Sequence, residues 1–415
     1  MALPSPPVPR EQASRGTLSA RAALSCTLMT DPNEAERLRP AWTDLLERSE
    51  RNELTLSPDW LLTWWRVYGP QDGRQLRLAC FFDAERLVGL APLLCRRHWY
   101  RGIVPFRRLE FLASGEREDD GIYSNHLNVV AERGAEEAVA RRLVEALTAG
   151  TLGAWDELVL TKMDGDGPMP SLLIAAFRDA GLTTEMAETA RAPYLSLPST
   201  WDDYLNGLSR GQRRHVTRSL RAFEQWAEGT ARLECATNVA ELEQGRRVLI
   251  DLHRARWEEG EQTGVFREPN YLQFHDAMMR RLLERGALEL LWLSVRSEPV
   301  AALYGMVWGN KVTAYQTGRR LDVPAHIRPG GVILALAIRR AIEAGRREFD
   351  LLADEAPYKL QLTSTVRPLV QVRVVRAGLR ESARRLLEGC VKVTRPLRCV
   401  FRAATVRERG VVPAP

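Results

Sequence analysis

Hydrophobic and polar positions follow the same plan in the two halves of the chain. In the first half, helical spacing predicts helices at 34–47, after Ser57-Pro58, at about 134–149 and at 168–180, and alternation predicts strands at 76–82, 87–94, 108–112 and 158–161. In the second half, the same criteria predict helices at 270–285 and from Val332 to Gly345, and strands at 288–295, 300–308, 312–318 and 349–352. The sequence therefore predicts an α+β fold of two tandem related units, each a mixed, mostly antiparallel sheet flanked by helices.

Proline-rich stretches indicate where these units begin and end. Pro193 and Pro198 punctuate the chain before a new helix at about 200. We expect a disordered N-terminal arm at 1–22, an N-terminal unit at 23–197, a C-terminal unit at 198–378, and a basic helix and tail at 379–415. The tail has the composition of a peripheral membrane contact or of a loosely packed end.

The composition is that of an ordinary globular protein, because 45% of the 415 residues are apolar and 27% are charged. No window approaches the roughly 18 consecutive apolar residues of a membrane-spanning helix. The net charge of +6, with arginine predominating over lysine, suits an acidic ligand without requiring nucleic acid. The six cysteines show no Cys-x-x-Cys spacing, so we expect reduced thiols, no metal site and a cytoplasmic protein.

A glycine turn in the second half is the strongest candidate for a ligand site. The predicted strand 312–318 is followed by Arg328-Pro329-Gly330-Gly331, and the helical pattern begins at Val332. Backbone amides at a helix start favour phosphate, because the helix dipole is positive there and glycine leaves the main chain uncovered. A plain turn is the competing interpretation. The corresponding stretch of the first half, 119–126, has no paired glycines, so we expect no cofactor site in that unit.

Two helices and one aromatic stripe carry further candidate residues. The helix 209–221 is densely basic, and its arginines could form a solvated face, a clamp for phosphates or a nucleic-acid contact; His215 within it fits a surface position. His253 is either a general base or a packed, hydrogen-bonded side chain. The stripe that contains Trp60 and Trp64 has the spacing of a helix face buried in the core.

Several motifs in the second half together resemble the GNAT acyltransferases. The group they resemble is found beside polysaccharide and cellulose biosynthesis genes and is often labelled CelD-like. The motifs are Leu252-His253-x-x-Arg256-Trp257, the hairpin 291–307, Tyr315-x-x-Gly318, Pro329-Gly330, and Phe349-Asp350-Leu351 with Glu355-x-x-Tyr358-Lys359. The chain departs from the family pattern at Arg328, where a serine is usual. The resemblance implies tandem GNAT-like units, as in the Fem-type aminoacyl transferases that add amino acids to peptidoglycan precursors.

The resemblance also implies the reaction and its participants. The donor would be acetyl-CoA or another acyl-CoA, the acceptor a small-molecule amine, and the acyl group would pass directly between them. We expect the donor to bind at Tyr315, Thr317, Gly318, Arg328, Gly330, Gly331 and Val332, with its diphosphate on the amides of the last three. His253, Arg256, Trp257 and Asp350 are the candidate acceptor-binding residues.

The polar cluster after the last predicted strand supplies candidate catalytic groups. Asp354 and Glu355 are candidate bases or amine binders, and Tyr358 could protonate the departing thiolate. Lys359 could bind an anionic acceptor or stabilise the oxyanion, or Tyr358 and Lys359 could simply fasten the loop.

These observations leave more than one function open. The first is an N-acyltransferase that acts on a small amine or a cell-envelope or polysaccharide precursor. The second is a Fem-like transferase that uses aminoacyl-tRNA, although no pair of long helical segments suggests the arm of that class. The third is a non-catalytic accessory protein of polysaccharide biosynthesis or, less directly, a regulator that uses its basic helix on DNA.

Overall fold

The computed structural model describes residues 24–117, 120–258, 264–324 and 326–388, without the side chains of 256–258. The expected N-terminal arm and most of the C-terminal tail lie outside these residues. The strands are β1 (Ser25–Met29), β2 (Gln75–Asp83), β3 (Arg86–Tyr100), β4 (Val104–Phe111), β5 (Val130–Ala131), β6 (Glu157–Asp164), β7 (Thr183–Ser196), β8 (Arg232–Cys235), β9 (Leu288–Val295), β10 (Glu298–Trp308), β11 (Lys311–Arg319), β12 (Glu348–Asp350) and β13 (Val366–Val375).

The helices connect and flank these strands. They are α1 (Pro32–Arg37), α2 (Arg39–Arg48), α3 (Pro58–Tyr68), α4 (Glu136–Thr148), α5 (Met169–Asp179), α6 (Trp201–Gly207), α7 (Arg210–Ala227), α8 (Val239–Glu258), α9 (Pro269–Glu284), α10 (Pro329–Glu343) and α11 (Pro357–Leu360). Residues 379–388 are also helical. No helix in the described part of the chain is long and apolar enough to cross a bilayer.

Local sequence signals explain where several helices begin. Ser57 caps α3 by accepting a hydrogen bond from the amide of Trp60, and Ser209 forms a capping box with Gln212 at the start of α7. The single helix predicted at 34–47 is two helices instead, α1 and α2. Pro40 at the start of α2 has no N–H to continue the hydrogen bonds of α1, so the helix is interrupted at Leu38.

The strands form one large mixed sheet in the order β1-β2-β3-β4-β6-β13-β7-β12-β11-β10-β9-β8, with β5 paired to β3. Most neighbours are antiparallel. The parallel pairs are β4–β6 in the first half and β11–β12 in the second, and each follows a hairpin and encloses a helix, α4 or α10. The predicted fold class is therefore confirmed, and the two halves share one plan.

The halves exchange their last strands. β13 belongs to the second half but lies between β6 and β7 of the first, where it pairs with both in antiparallel register. β7 in turn pairs with β12 of the second half, with Tyr194 opposite Asp350. Each half therefore completes the sheet of the other, and the two cannot separate without breaking strand pairs.

Two apolar clusters cover the faces of the sheet. The larger contains Trp60 and Trp64, both fully buried, so the prediction that this aromatic stripe is core is confirmed. The smaller contains α10 and one face of α7, where Val216 and Phe223 meet residues such as Ile333. This second cluster fixes α7 beside α10 and so sets the distance across the candidate site.

Candidate functional site

The sheet opens between β11 and β12. These parallel strands pair only from Lys311–Glu348 to Thr313–Asp350. Just beyond this point β11 has a bulge, because Tyr304 of β10 lies opposite Gln316 while Gly305 lies opposite Ala314, which leaves Tyr315 without a register partner. A bulge bends its strand. The bend takes β11 away from β12 and leaves its edge available on that side.

Helix α10 starts beside this opening. Its first residue is Pro329 rather than the predicted Val332, so both glycines lie inside the first turn. Proline suits this position because its ring fixes φ at a helical value and its missing N–H would have no partner there. The amides of Gly331 and Val332 both donate to the Arg328 carbonyl, at 2.9 and 3.0 Å. Of the three amides expected to be free, only the Gly330 amide donates to no backbone carbonyl in the described part of the chain.

The first turn of α10 faces open space. A Cβ atom built on Gly331 would meet nothing within 4 Å, and one built on Gly330 would lie 3.2 Å from Cδ of Arg319. The turn borders a cavity of about 540 Å³ between α7, β11, α10 and α11. Glycine here keeps the backbone accessible to a ligand, since any larger residue at position 331 would project into the cavity.

The cavity combines a cationic side with an apolar one. Its basic side chains are those of His215, Arg319 and Arg328, and no carboxylate is among the described residues that line it. The Arg328 Nη1 and His215 Nδ1 atoms are 3.5 Å apart. Burial, and then the charge of Arg328, lower the pKa of His215 below its ordinary value. At this distance Arg328 can donate a hydrogen bond to a neutral His215, and both side chains face the cavity, where an anion could bind between them.

Six of the predicted residues line this cavity. They are Thr317, Arg328, Gly330, Gly331, Val332 and Tyr358. The Tyr358 side chain is 41% exposed. β11, α10 and α11 converge at the opening of the sheet, which explains why residues far apart in sequence meet there.

Two residues predicted to bind the donor lie elsewhere. Tyr315 is buried among aromatic rings, 4.7 Å from the ring of His275, and its hydroxyl accepts a hydrogen bond from the Tyr123 amide at 3.0 Å. Gly318 lies directly under α8, where an added Cβ would come within 2.8 Å of Cβ of Leu252. Tyr315 therefore contributes to the contact between the halves, and the small size of Gly318 allows α8 to pack closely on β11.

Two predicted acceptor-binding residues are also enclosed. The Asp350 carboxylate lies 2.7 Å from Nε2 of His126 and accepts a hydrogen bond from the Leu352 amide, so it ties the second half to the first. His253 is only 2% exposed and packs edge-on against Phe266. The side chains of the other two candidates, Arg256 and Trp257, lie outside the described residues.

The loop after β12 has an unusual backbone. Leu352 and Asp354 have φ values of 60° and 84°, in the region that costs energy for residues other than glycine. Lys359 is buried and donates to the carbonyls of Ala353, at 2.7 Å, and Leu352, at 3.3 Å. This contact holds the loop in place, so Lys359 is not directed at the cavity.

The two acidic candidates on this loop point outward. Asp354 and Glu355 are exposed, and Glu355 pairs with Arg191 at 3.4 Å. Neither lines the cavity, although Pro357 and Tyr358 of the same segment do.

The first half has the strand geometry but not the glycine turn. Its parallel pair β4–β6 corresponds to β11–β12, and α4 corresponds to α10. Ala135 precedes α4 without a side-chain cap, and the first turn carries Glu136 and Glu137. Negative charges at this position oppose phosphate binding.

Sequence reasoning missed part of the cavity wall. His215, Ser219 and Gln361 line it. The side-chain amide of Gln212 donates to the Leu360 carbonyl at 2.8 Å and so joins α7 to α11. His215 and Ser219 are four residues apart, so they share one helix face. That spacing was visible in the sequence, but the partner of this face was not. No group of three or more metal-ligating side chains occurs among the described residues.

Comparisons with known proteins agree with this geometry. Residues 210–360 match the acetyltransferase (GNAT) domain family. No curated protein sequence matches the chain significantly.

Among solved structures, FemX is 11% identical and aligns over 88% of this chain and 100% of its own, with a TM-score of 0.56. A conserved protein of unknown function from Bacteroides thetaiotaomicron is 11% identical and aligns over 85% and 100%, with a TM-score of 0.50. A tandem GNAT protein from the clavulanic acid biosynthesis pathway is 11% identical and aligns over 86% and 99%, with a TM-score of 0.43. Residues 210–360 are therefore similar to GNAT acetyltransferase domains, and the fold of the chain is similar to that of FemX.

Proposed function

We propose that the protein is an N-acyltransferase that moves an acetyl or longer acyl group from acyl-CoA to a primary amine. The acceptor would be a small molecule or a cell-envelope or polysaccharide precursor, and the reaction would take place in the cytoplasm. The observation that carries the proposal is the open first turn of α10 at Gly331, which faces a cationic cavity where β11 leaves β12.

The residues of the cavity fit a CoA thioester in both charge and polarity. Arg319, Arg328 and His215 would hold the diphosphate together with the Gly330 amide. The free edge of β11 around Thr317 would pair with the pantetheine amides as an added strand does. The apolar lining, which includes Val323, would accommodate the acyl chain.

The chemistry requires one bond to form and one to break. The neutral amine attacks the thioester carbonyl, a C–N bond forms, the C–S bond breaks and the thiolate takes up a proton. Tyr358, which lines the cavity, would donate that proton. Asp354 or Glu355, which are exposed on the same segment as Tyr358, would accept the proton that the amine loses. Lys359 would act as a positioning residue, because it fixes the backbone between them.

The test is mass spectrometry of reactions with acetyl-CoA and a panel of amines. We expect an acylated amine with the wild-type protein and much less with Tyr358→Phe or Glu355→Gln. If both variants keep full turnover, the assigned roles are wrong. If coenzyme A at millimolar concentration gives no thermal shift, the acyltransferase proposal itself fails and an accessory role is favoured.

A second candidate function is aminoacyl transfer from charged tRNA. The observation that favours it is the basic outer face of α7, where Arg214 and Arg218 line a second cavity that adjoins the first. Transfer of a labelled amino acid from charged tRNA, without any stabilisation by coenzyme A, would support this alternative.

A further inference from the structure

A second cavity extends along α7 away from the end of α10. Its volume is about 700 Å³, and it shares His215, Ser219 and Arg328 with the first cavity, so the two adjoin. We call it the α7 groove. Its lining includes the arginines Arg214, Arg218, Arg221 and Arg328 and the histidines His215 and His326.

The arginines of the α7 groove form one stripe. Arg214, Arg218 and Arg221 are four and three residues apart, so their side chains share one face of the helix. All three are exposed, and no carboxylate in the described part of the chain pairs with any of them. Elsewhere in the protein arginines are commonly paired, as Arg96 is with Glu110.

A stripe of unpaired arginines destabilises the free protein slightly. Like charges three and four residues apart on a helix repel each other, and the nearby Arg328 adds to the repulsion. A bound anion removes this cost. The α7 groove is therefore better suited to a phosphorylated ligand than to water alone.

The charge count points to a third phosphate. In the proposed complex, the start of α10 binds the diphosphate of the donor together with Arg319 and Arg328. The arginine stripe on α7 is then available to bind another anionic group. A phosphate monoester carries about −1.5 to −2 charges at pH 7 and offers three acceptor oxygens that match arginine. The concave shape of the groove favours such a compact group over the convex surface of a protein partner.

We propose that the α7 groove binds a phosphate monoester at the nucleotide end of the donor and thereby selects 3′-phosphorylated CoA over dephospho-CoA. This inference rests on the proposed function, because it assumes that the thioester end of the same molecule occupies the first cavity. It names a determinant of donor choice that lies on α7, outside the glycine turn.

The experiment is calorimetric titration of the full-length protein with CoA and with dephospho-CoA at fixed salt. We expect the wild-type protein to bind CoA about 10- to 150-fold more tightly, the range of one charge-assisted contact. Arg218→Gln and Arg221→Gln should each reduce this ratio towards 1 while the Kd for dephospho-CoA stays the same. Arg213→Gln is the matched control, since Arg213 is exposed on the same helix but does not line the groove.

Each other outcome is decisive. Equal affinity of the wild-type protein for the two ligands would overturn the inference and leave the proposed function intact. Equal weakening of both ligands by Arg218→Gln would also overturn it, because the residue would then act on the diphosphate or on the fold. If neither CoA nor dephospho-CoA binds, the proposed function is refuted. If uncharged tRNA displaces CoA and Arg218→Gln prevents this, the groove holds a nucleic-acid backbone and the monoester assignment is wrong.

Discussion

Replacing Gly331 by alanine should stabilise the protein while weakening its binding of CoA. Gly331 lies in the first turn of α10, its φ is not in the left-handed region, and an added Cβ would meet nothing within 4 Å. The backbone therefore tolerates alanine without strain. Glycine within a helix costs about 0.5–1 kcal/mol relative to alanine, because it loses more conformational entropy on folding.

The effect on the ligand has the opposite sign. The methyl group would stand in the space through which a phosphate approaches the helix start. Loss of one charge-assisted hydrogen bond costs about 1.5–3 kcal/mol, which corresponds to a roughly 10- to 150-fold higher Kd. The predicted signature is thus a slightly higher melting temperature without ligand and a much smaller shift with CoA.

The assay is a thermal unfolding series combined with calorimetric titration of CoA. For a chain of this size, the gain in stability corresponds to an increase in Tm of about 1 °C. Gly207→Ala is the matched control, because an added Cβ at the end of α6 also meets nothing within 4 Å but does not border the cavity. We expect it to change stability alone.

One result would refute the reasoning. If Gly331→Ala binds CoA with wild-type affinity, the open turn is not the diphosphate site, whatever the donor is. If Gly331→Ala lowers the stability of the protein, the space beside Gly331 is occupied in solution and the added methyl group clashes there.

Three further predictions concern single groups. Tyr358→Phe should lower kcat about 100-fold or more and leave the Kd for CoA unchanged, as single-turnover kinetics and calorimetry would show, and an unchanged kcat would exclude Tyr358 as the acid. The pKa of His215 is below its ordinary value in the free protein, and a bound diphosphate would raise it. The affinity for dephospho-CoA should therefore be greatest below the pKa of the free state and should fall as the pH rises through the pKa of the bound state. Titrations from pH 5 to 8 should show this profile for the wild-type protein and a flatter one for His215→Gln. Burial alone would raise the pKa of Asp350, but the charge and hydrogen bond of His126, with Lys311, outweigh it and hold that pKa below its ordinary value. The pair of Asp350 and His126 should therefore contribute stability above about pH 4 that is lost as the pH falls further. Asp350→Asn should lower the free energy of unfolding by about 3–5 kcal/mol in denaturant melts at pH 7. An unchanged midpoint would contradict the role of the pair.

Several elements could be predicted because the relevant signal is local. Alternation of apolar and polar residues predicts the strands β9 to β11. Helical spacing followed by Gly345, which has a positive φ, predicts where α10 ends. The predicted start of α10 at Val332 is three residues late, because paired glycines are typical of a turn, whereas Pro329 already fixes the first helical residue. Position 331 could be proposed for the same local reason: paired glycines before an apolar helix are visible in the sequence.

The fate of the polar candidates could not be predicted in this way. Asp350, Tyr315 and Lys359 are chemically able to act on a substrate, but the fold directs them to His126, to Tyr123 and to loop carbonyls. Their partners lie either across the boundary between the halves or behind a loop whose course depends on the surrounding packing. A sequence pattern carries no information about such contacts.

The sequence by itself determined the order of the elements, the likeness between the halves and the glycine turn, because each depends on spacing within a few residues. Only the tertiary structure decided that the halves exchange their last strands and that α7 forms one wall of the cavity. It also decided that Asp350 is enclosed. These outcomes depend on which apolar faces pack together over long distances in the chain, and burial of those faces is optimised for the whole molecule at once rather than for any one segment.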